Sequence, residues 1–161
     1  EAMGHDDAST LDEIERAWLA MRREGVAMTM GERDHRYVKW RYLDRPDQQY
    51  QLFRLRRVWP SRTAGIAVLR LQNPQSQWLD WIGPINWLTA ACRACLTQAA
   101  QFGAQELAAW ASPLVVNALR DSAWQHNSVA ACLGIPASSD VIEADVHQLN
   151  WWLMGGDTDF L

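Results

Sequence analysis

The stretch from Gln77 to Ala111 sets the tightest limit on how this chain can fold. Gln77–Ile82 is an apolar run carrying Trp78, Leu79, Trp81 and Ile82, and Gly83-Pro84 ends it. Proline cannot donate to a strand ladder, so a strand stops there. Asn86 follows as a candidate helix N-cap, the next residues to Phe102 contain neither Gly nor Pro, and Gly103 is a natural helix stop. Leu107–Ala111 then reads as a second strand. A strand–helix–strand crossover in one sheet makes its two strands parallel. The chain is therefore expected to hold a parallel pair joined by one long helix. The strand-to-helix junction, 78–103, is where function is expected.

Two helices are expected ahead of this unit. Thr10 and Glu13 have the spacing of a capping box, and Leu11, Ile14, Trp18 and Met21 repeat at helical spacing up to Gly25. A shorter helix runs from Asp34 to about Leu43, with Tyr37, Trp40 and Arg41 sharing a face, and Pro46 ends it. Strands follow at Tyr50–Val58 and Gly65–Leu71, and their short connection makes them antiparallel. After the crossover, Ser112-Pro113 opens a helix to Trp124, Ser128–Ile135 reads as a strand, and Gln148–Met154 as a last one. The fold class implied is α/β (α+β), one domain over 10–161 with a mixed, mostly antiparallel sheet. Residues 1–9, beginning Glu-Ala-Met-Gly-His, read as a cloning remnant or a disordered lead.

Composition removes several function classes. A net charge of −4 and a pI near 5.5 give no electrostatic case for nucleic acid. No run approaches the roughly 20 apolar residues that span a bilayer, so no membrane partner is expected. Cys92 and Cys95 share a helical face but lack the second ligand pair that a zinc site requires. No metal is expected, and buried reduced cysteines point to a cytoplasmic location. The ten tryptophans, where about two are usual, suit cores, clefts and interfaces alike.

The element order resembles the GNAT superfamily of acyl-CoA N-acyltransferases over roughly residues 10–161, with the first strand missing or upstream. The stretches that carry the likeness are Tyr37–Pro46 with Tyr50 (YVKWRYLDRP…Y), Gln77–Pro84, Phe102-Gly103-Ala104 and the ending Gly156-Asp157-Thr158-Asp159. The details look most like bacterial proteins with two such domains in tandem. The resemblance implies a twisted sheet with helices on both faces and a splayed central parallel pair. Acetyl-CoA would lie in the splay, its pyrophosphate on backbone N–H groups at the start of the following helix. A base would take the proton of an amine acceptor, small molecule or peptide, and strand-end N–H groups would polarise the thioester carbonyl. A homodimer, or packing against an upstream domain of the same kind, would complete the protein.

This register assigns Ile82, Gly83, Ile85, Asn86, Trp87 and Asn117 to the cofactor and Asp80 with His126 to catalysis. It also exposes departures. Counted back from Gly103, the family's small positions fall on Pro84, Asn86 and Leu88, and its Arg/Gln position near Gly83. Leu119 stands where the family places a tyrosine proton donor, Ala123-Trp124 replaces Gly-Phe, and Asn117 comes late. These losses leave a second reading open: a degenerate domain serving binding or assembly.

Asp80, set between Trp78 and Trp81, would have a raised pKa if desolvated, which suits a base. Its plainer fate is exposure, or pairing with a nearby arginine. His126 and His147 titrate near neutrality but have no visible orienting partner. Asp157 and Asp159 form a weak cation pair beside a Gly155-Gly156 turn, or a tail that docks in the cleft. Trp40, Arg41 and Tyr42 offer an aromatic and arginine surface, or ordinary packing on the sheet. Trp151 and Trp152 must point to opposite faces of their strand.

Overall fold

Residues 2–3, 8–25, 27–45, 49–59, 61–119 and 150–157 are described by the computed structural model. The expected strand at Ser128–Ile135, the helix beyond 119, and His126, His147 and Asp159 lie outside the described residues.

Helix α1 spans Ala8–Glu24, three residues longer at its start than the capping box implies. Thr10 is therefore inside the first turn and buried, and the Glu13 carboxylate instead accepts from Arg54 at 3.0 Å. Tertiary pairing has taken the side chain that a local cap would have used. Ile14, Ala17, Trp18 and Met21 form the buried stripe. A two-residue strand, β1 (Thr29–Met30), leads to α2 (His35–Val38), where Asp34 caps by accepting from the Tyr37 N–H at 2.8 Å. The helix widens into a π-turn over Lys39–Leu43 that buries Arg41 and Tyr42 and leaves Trp40 exposed.

The sheet has the order β2-β3-β4-β5, with β2 (Tyr50–Arg57), β3 (Arg62–Arg70), β4 (Gln75–Ile82) and β5 (Glu106–Ala109). Pairs β2–β3 and β3–β4 are antiparallel, and β4–β5 is parallel. This is a mixed, mostly antiparallel sheet. The central strands β3 and β4 are buried almost throughout, as strands covered on both faces must be. Helix α1 packs on β3 and β4. After a 3₁₀ turn at Ile85–Trp87, α3 (Leu88–Phe102) packs on β3, β4 and β5 and ends at Gly103, whose φ of 95° only glycine adopts easily.

Two features of β4 position the site. Val68 pairs with Asp80 but Leu69 pairs with Trp78, so Leu79 is an extra residue on β4. Directly paired residues share a face. The bulge therefore puts Trp78 on the face of Trp81, whose partner is Ala67, and turns Asp80 to the opposite face. The second feature is where β4 and β5 part. Their pairing ends at Trp78–Ala109, while β4 continues to Ile82.

The chain then forms α4 (Pro113–Ala118) and, after 149, β6 (Trp151–Trp152) and a 3₁₀ turn at Gly155–Asp157. Strand β6 pairs in parallel with β1, a partner that sequence periodicity does not indicate. At the other end of the chain, Ala2 bridges Phe53 and the Met3 N–H donates to the Leu52 carbonyl at 2.9 Å. Two residues of the lead thus lie on the outer edge of β2.

Candidate functional site

Asp80 is the centre of a buried polar cluster. It is 0% exposed, so an unpaired charge there would be prohibitive. Three donors meet it. Arg33 Nε reaches Oδ1 at 2.9 Å, the Trp81 N–H reaches the same oxygen at 2.9 Å, and the Tyr42 hydroxyl reaches Oδ2 at 3.1 Å. Arg33 is also 0% exposed, and its remaining donors go to the Gly31 carbonyl at 2.9 Å and to Asp157 Oδ2. The Met154 N–H donates to that Asp157 oxygen as well, at 2.9 Å, and the Tyr37 hydroxyl donates to the Gly156 carbonyl at 2.9 Å.

Sequence elements far apart build this cluster. The bulge at Leu79 aims Asp80 inward, and the π-turn brings Tyr42 beneath it. The tail residues then close over both. Met154 bridges Ala111, two residues beyond the last β4–β5 pair, and the turn that follows sits on Asp80. A Cβ on Gly156 would overlap the Tyr42 hydroxyl and lie 3.2 Å from Asp80 Oδ2. The tail is thus a wedge inserted where the parallel strands separate, and only glycine fits at its point of closest approach.

Burial pushes the Asp80 carboxyl above its usual range, Arg33 opposes that shift, and Asp157 adds to it. Burial alone would weaken Arg33's grip on its proton, but Asp80 and Asp157 outweigh it and the pKa rises. Burial, with Asp80 and Asp157 nearby, lifts the Tyr37 phenol to about 12, and burial with Asp80 lifts Tyr42 as well. Both tyrosines therefore remain donors at neutral pH. Asp80 accepts from three donors and is held by an arginine that nothing in the local sequence singles out. A buried aspartate between two tryptophans signals that a cation must exist, but Arg33 is 47 residues away in sequence.

The junction residues are contiguous and differ in environment. Ile82, Gly83 and Pro84 are buried, Ile85 and Trp87 half-buried, and Asn86 exposed. Asn86 does not cap α3. The helix is entered through the 3₁₀ turn, and neither its start nor that of α3 has a side-chain cap. The smallness of Gly83 serves packing, since a Cβ would lie 2.8 Å from the Trp81 ring and 2.9 Å from Gly65 Cα. The Pro84 carbonyl accepts from Trp81 Nε1 at 3.2 Å and from the Trp87 N–H at 3.1 Å. The start of this turn therefore has no side-chain acceptor from its N-cap residue. Asn117 is exposed on α4.

Two cavities lie elsewhere. One of about 180 Å³ is lined by Phe53, Leu55, Ala67, Trp81, Ala91 and Cys95, and one of about 470 Å³ by Trp18, Arg22, Met28, Met30 and Glu32. Neither is lined by Asp80. Burial raises the Cys95 thiol, which removes it as a nucleophile. Among the described residues no group of three or more potential metal ligands occurs, and no helix is long and apolar enough to cross a membrane. No family model, curated protein or solved structure matches the chain.

Proposed function

We propose that the chain is an acyl-CoA-dependent N-acyltransferase domain of the GNAT kind, transferring an acetyl group to an amine acceptor and working beside a second such domain. One observation carries this reading: β4 separates from its parallel partner after Trp78 and runs on to Ile82, then turns directly into a helix with no side-chain cap. A strand that parts from its neighbour offers unpaired backbone groups to a thioester arm. An uncapped helix start offers N–H donors and a favourable dipole to a pyrophosphate.

In the reaction the amine nitrogen attacks the thioester carbonyl carbon, the carbonyl oxygen gains negative charge, and the C–S bond then breaks. The thiolate leaves as CoA and takes up a proton, while the amine nitrogen loses one. On this reading N–H groups at the end of β4 stabilise the oxyanion, other than the Trp81 N–H, which Asp80 already accepts. Asp80 is an anchor for the acceptor end of the cleft: three donors already occupy it, so the amine's proton goes to solvent or to a group from the partner domain.

A second reading is favoured by the wedge of Met154–Asp157, which fills the separation at the level of Asp80. On that reading the domain binds or assembles without catalysing. The two are separated by following thiol release from acetyl-CoA in the presence of a panel of primary amines. Turnover that depends on the amine supports the transferase. Binding of acetyl-CoA with no turnover, with an upstream partner domain supplied, supports the second reading.

A further inference from the structure

From Tyr50 to Leu79 the chain contains five arginines (Arg54, Arg56, Arg57, Arg62 and Arg70) and no acidic residue, which leaves −9 on the rest of a chain whose net charge is −4. Three of the five gather at the turn end of the β2–β3 hairpin. Arg57 pairs directly with Arg62 across the strands, and Arg56 precedes them opposite Thr63. Like charges directly opposite one another destabilise a hairpin, so this end of the sheet is built against its own stability. It is nonetheless held in shape: Arg56 Nη2 donates to Ser61 Oγ at 3.0 Å, and the Arg57 guanidinium lies 5.4 Å over the Trp87 ring. Beyond the arginines the turn presents Val58 and Trp59, which are 92% and 88% exposed, more than any other large apolar residue described.

We propose that this hairpin end docks the protein on an anionic lipid surface. Val58 and Trp59 enter the headgroup boundary while Arg56, Arg57 and Arg62 contact lipid phosphates. The two halves of the feature each fit that partner. An exposed tryptophan beside an aliphatic residue suits the interface of a bilayer, where an amphipathic ring is apolar on one side and wet on the other. A ring of arginines just behind it meets the phosphates of an anionic leaflet, and the phosphates relieve the repulsion between Arg57 and Arg62. A nucleic acid would satisfy the arginines but would leave Val58 without a partner. Surface association of this kind needs no spanning helix.

The test is co-sedimentation of the intact chain with vesicles of phosphatidylcholine alone and of phosphatidylcholine containing phosphatidylserine. The expected result is partitioning onto the anionic vesicles, little onto the neutral ones, and release as salt is raised. Trp59→Ala and the double variant Arg56→Gln/Arg62→Gln should each lower partitioning at least about tenfold. Both alter exposed side chains, and circular dichroism checks that the fold is kept. Equal partitioning onto neutral and anionic vesicles, or wild-type partitioning by both variants, would overturn the proposal. So would binding to single-stranded DNA or heparin in preference to anionic vesicles.

Discussion

Arg33 is the residue on which the molecule's interior depends most. It neutralises Asp80 through Nε and Asp157 through Nη2, with side chains 0%, 0% and 15% exposed. Removing one member of a buried ion pair leaves its partner charged and unsolvated, which typically costs about 3–5 kcal/mol. Arg33→Met should lower the urea-unfolding free energy by that amount, and adding Asp157→Asn should restore part of it by easing the repulsion between carboxylates. A loss below about 1 kcal/mol would place the cluster in contact with water. The sequence made half of this legible. Trp78-Leu79-Asp80-Trp81 announces a carboxylate in an apolar setting, and pairing with an arginine was one of the two plain outcomes for it. Which arginine could not be read, because Glu32-Arg33-Asp34 looks like any solvated run of charge before a helix.

Among the elements, β4 owes its position to two glycines. The Trp81 ring lies across Gly65 and Gly83, with Nε1 fixed to the Pro84 carbonyl. A Cβ at Gly65 would overlap that ring, so Gly65→Ala should cost about 1–3 kcal/mol through overpacking, read as a lower midpoint in urea at an unchanged slope. The tail wedge makes a contrasting prediction. Gly156→Ala meets the Tyr42 hydroxyl, and the cheapest response is for Gly155–Asp157 to lift off Asp80. Amide hydrogen exchange should therefore quicken at 154–157 while the β3 amides stay protected. Strands and the long helix were readable from periodicity and from Gly103, but this wedge was readable only as a tail that docks in the cleft. The bulge at Leu79 left no periodicity signal, since Trp78, Leu79, Trp81 and Ile82 are apolar on both faces. The Thr10–Glu13 capping box was misleading for a tertiary reason: Glu13 is drawn to Arg54 on β2.

At the scale of the molecule, the interior tyrosines tie stability to alkaline pH. Tyr37 keeps its proton to about 12 in the folded chain, Tyr42 is also raised, and an unfolded chain releases phenolic protons near 10. Between those values the native state binds more protons than the unfolded state, so stability falls as pH rises above about 10. Urea unfolding at a series of pH values should show that decline, and Tyr37→Phe should lessen it. Among the described residues, the mostly antiparallel four-stranded sheet with one parallel crossover follows from the order of its elements, whereas the expected last strand pairs with β1 in a separate two-stranded sheet. On the proposed reading, the use made of it turns on a few strand residues beyond Trp78 and on the start of one helix. The measurement that bears on this most directly is a calorimetric titration of the intact chain with acetyl-CoA, beside Asn86→Gln and Asn86→Glu. If the opened end of β4 and the start of α3 hold the cofactor, the wild type and Asn86→Gln bind in the micromolar range, and Asn86→Glu, which sets a carboxylate where the pyrophosphate would sit, does not. No heat of binding from the wild type up to millimolar acetyl-CoA, or equal binding by all three, would contradict it.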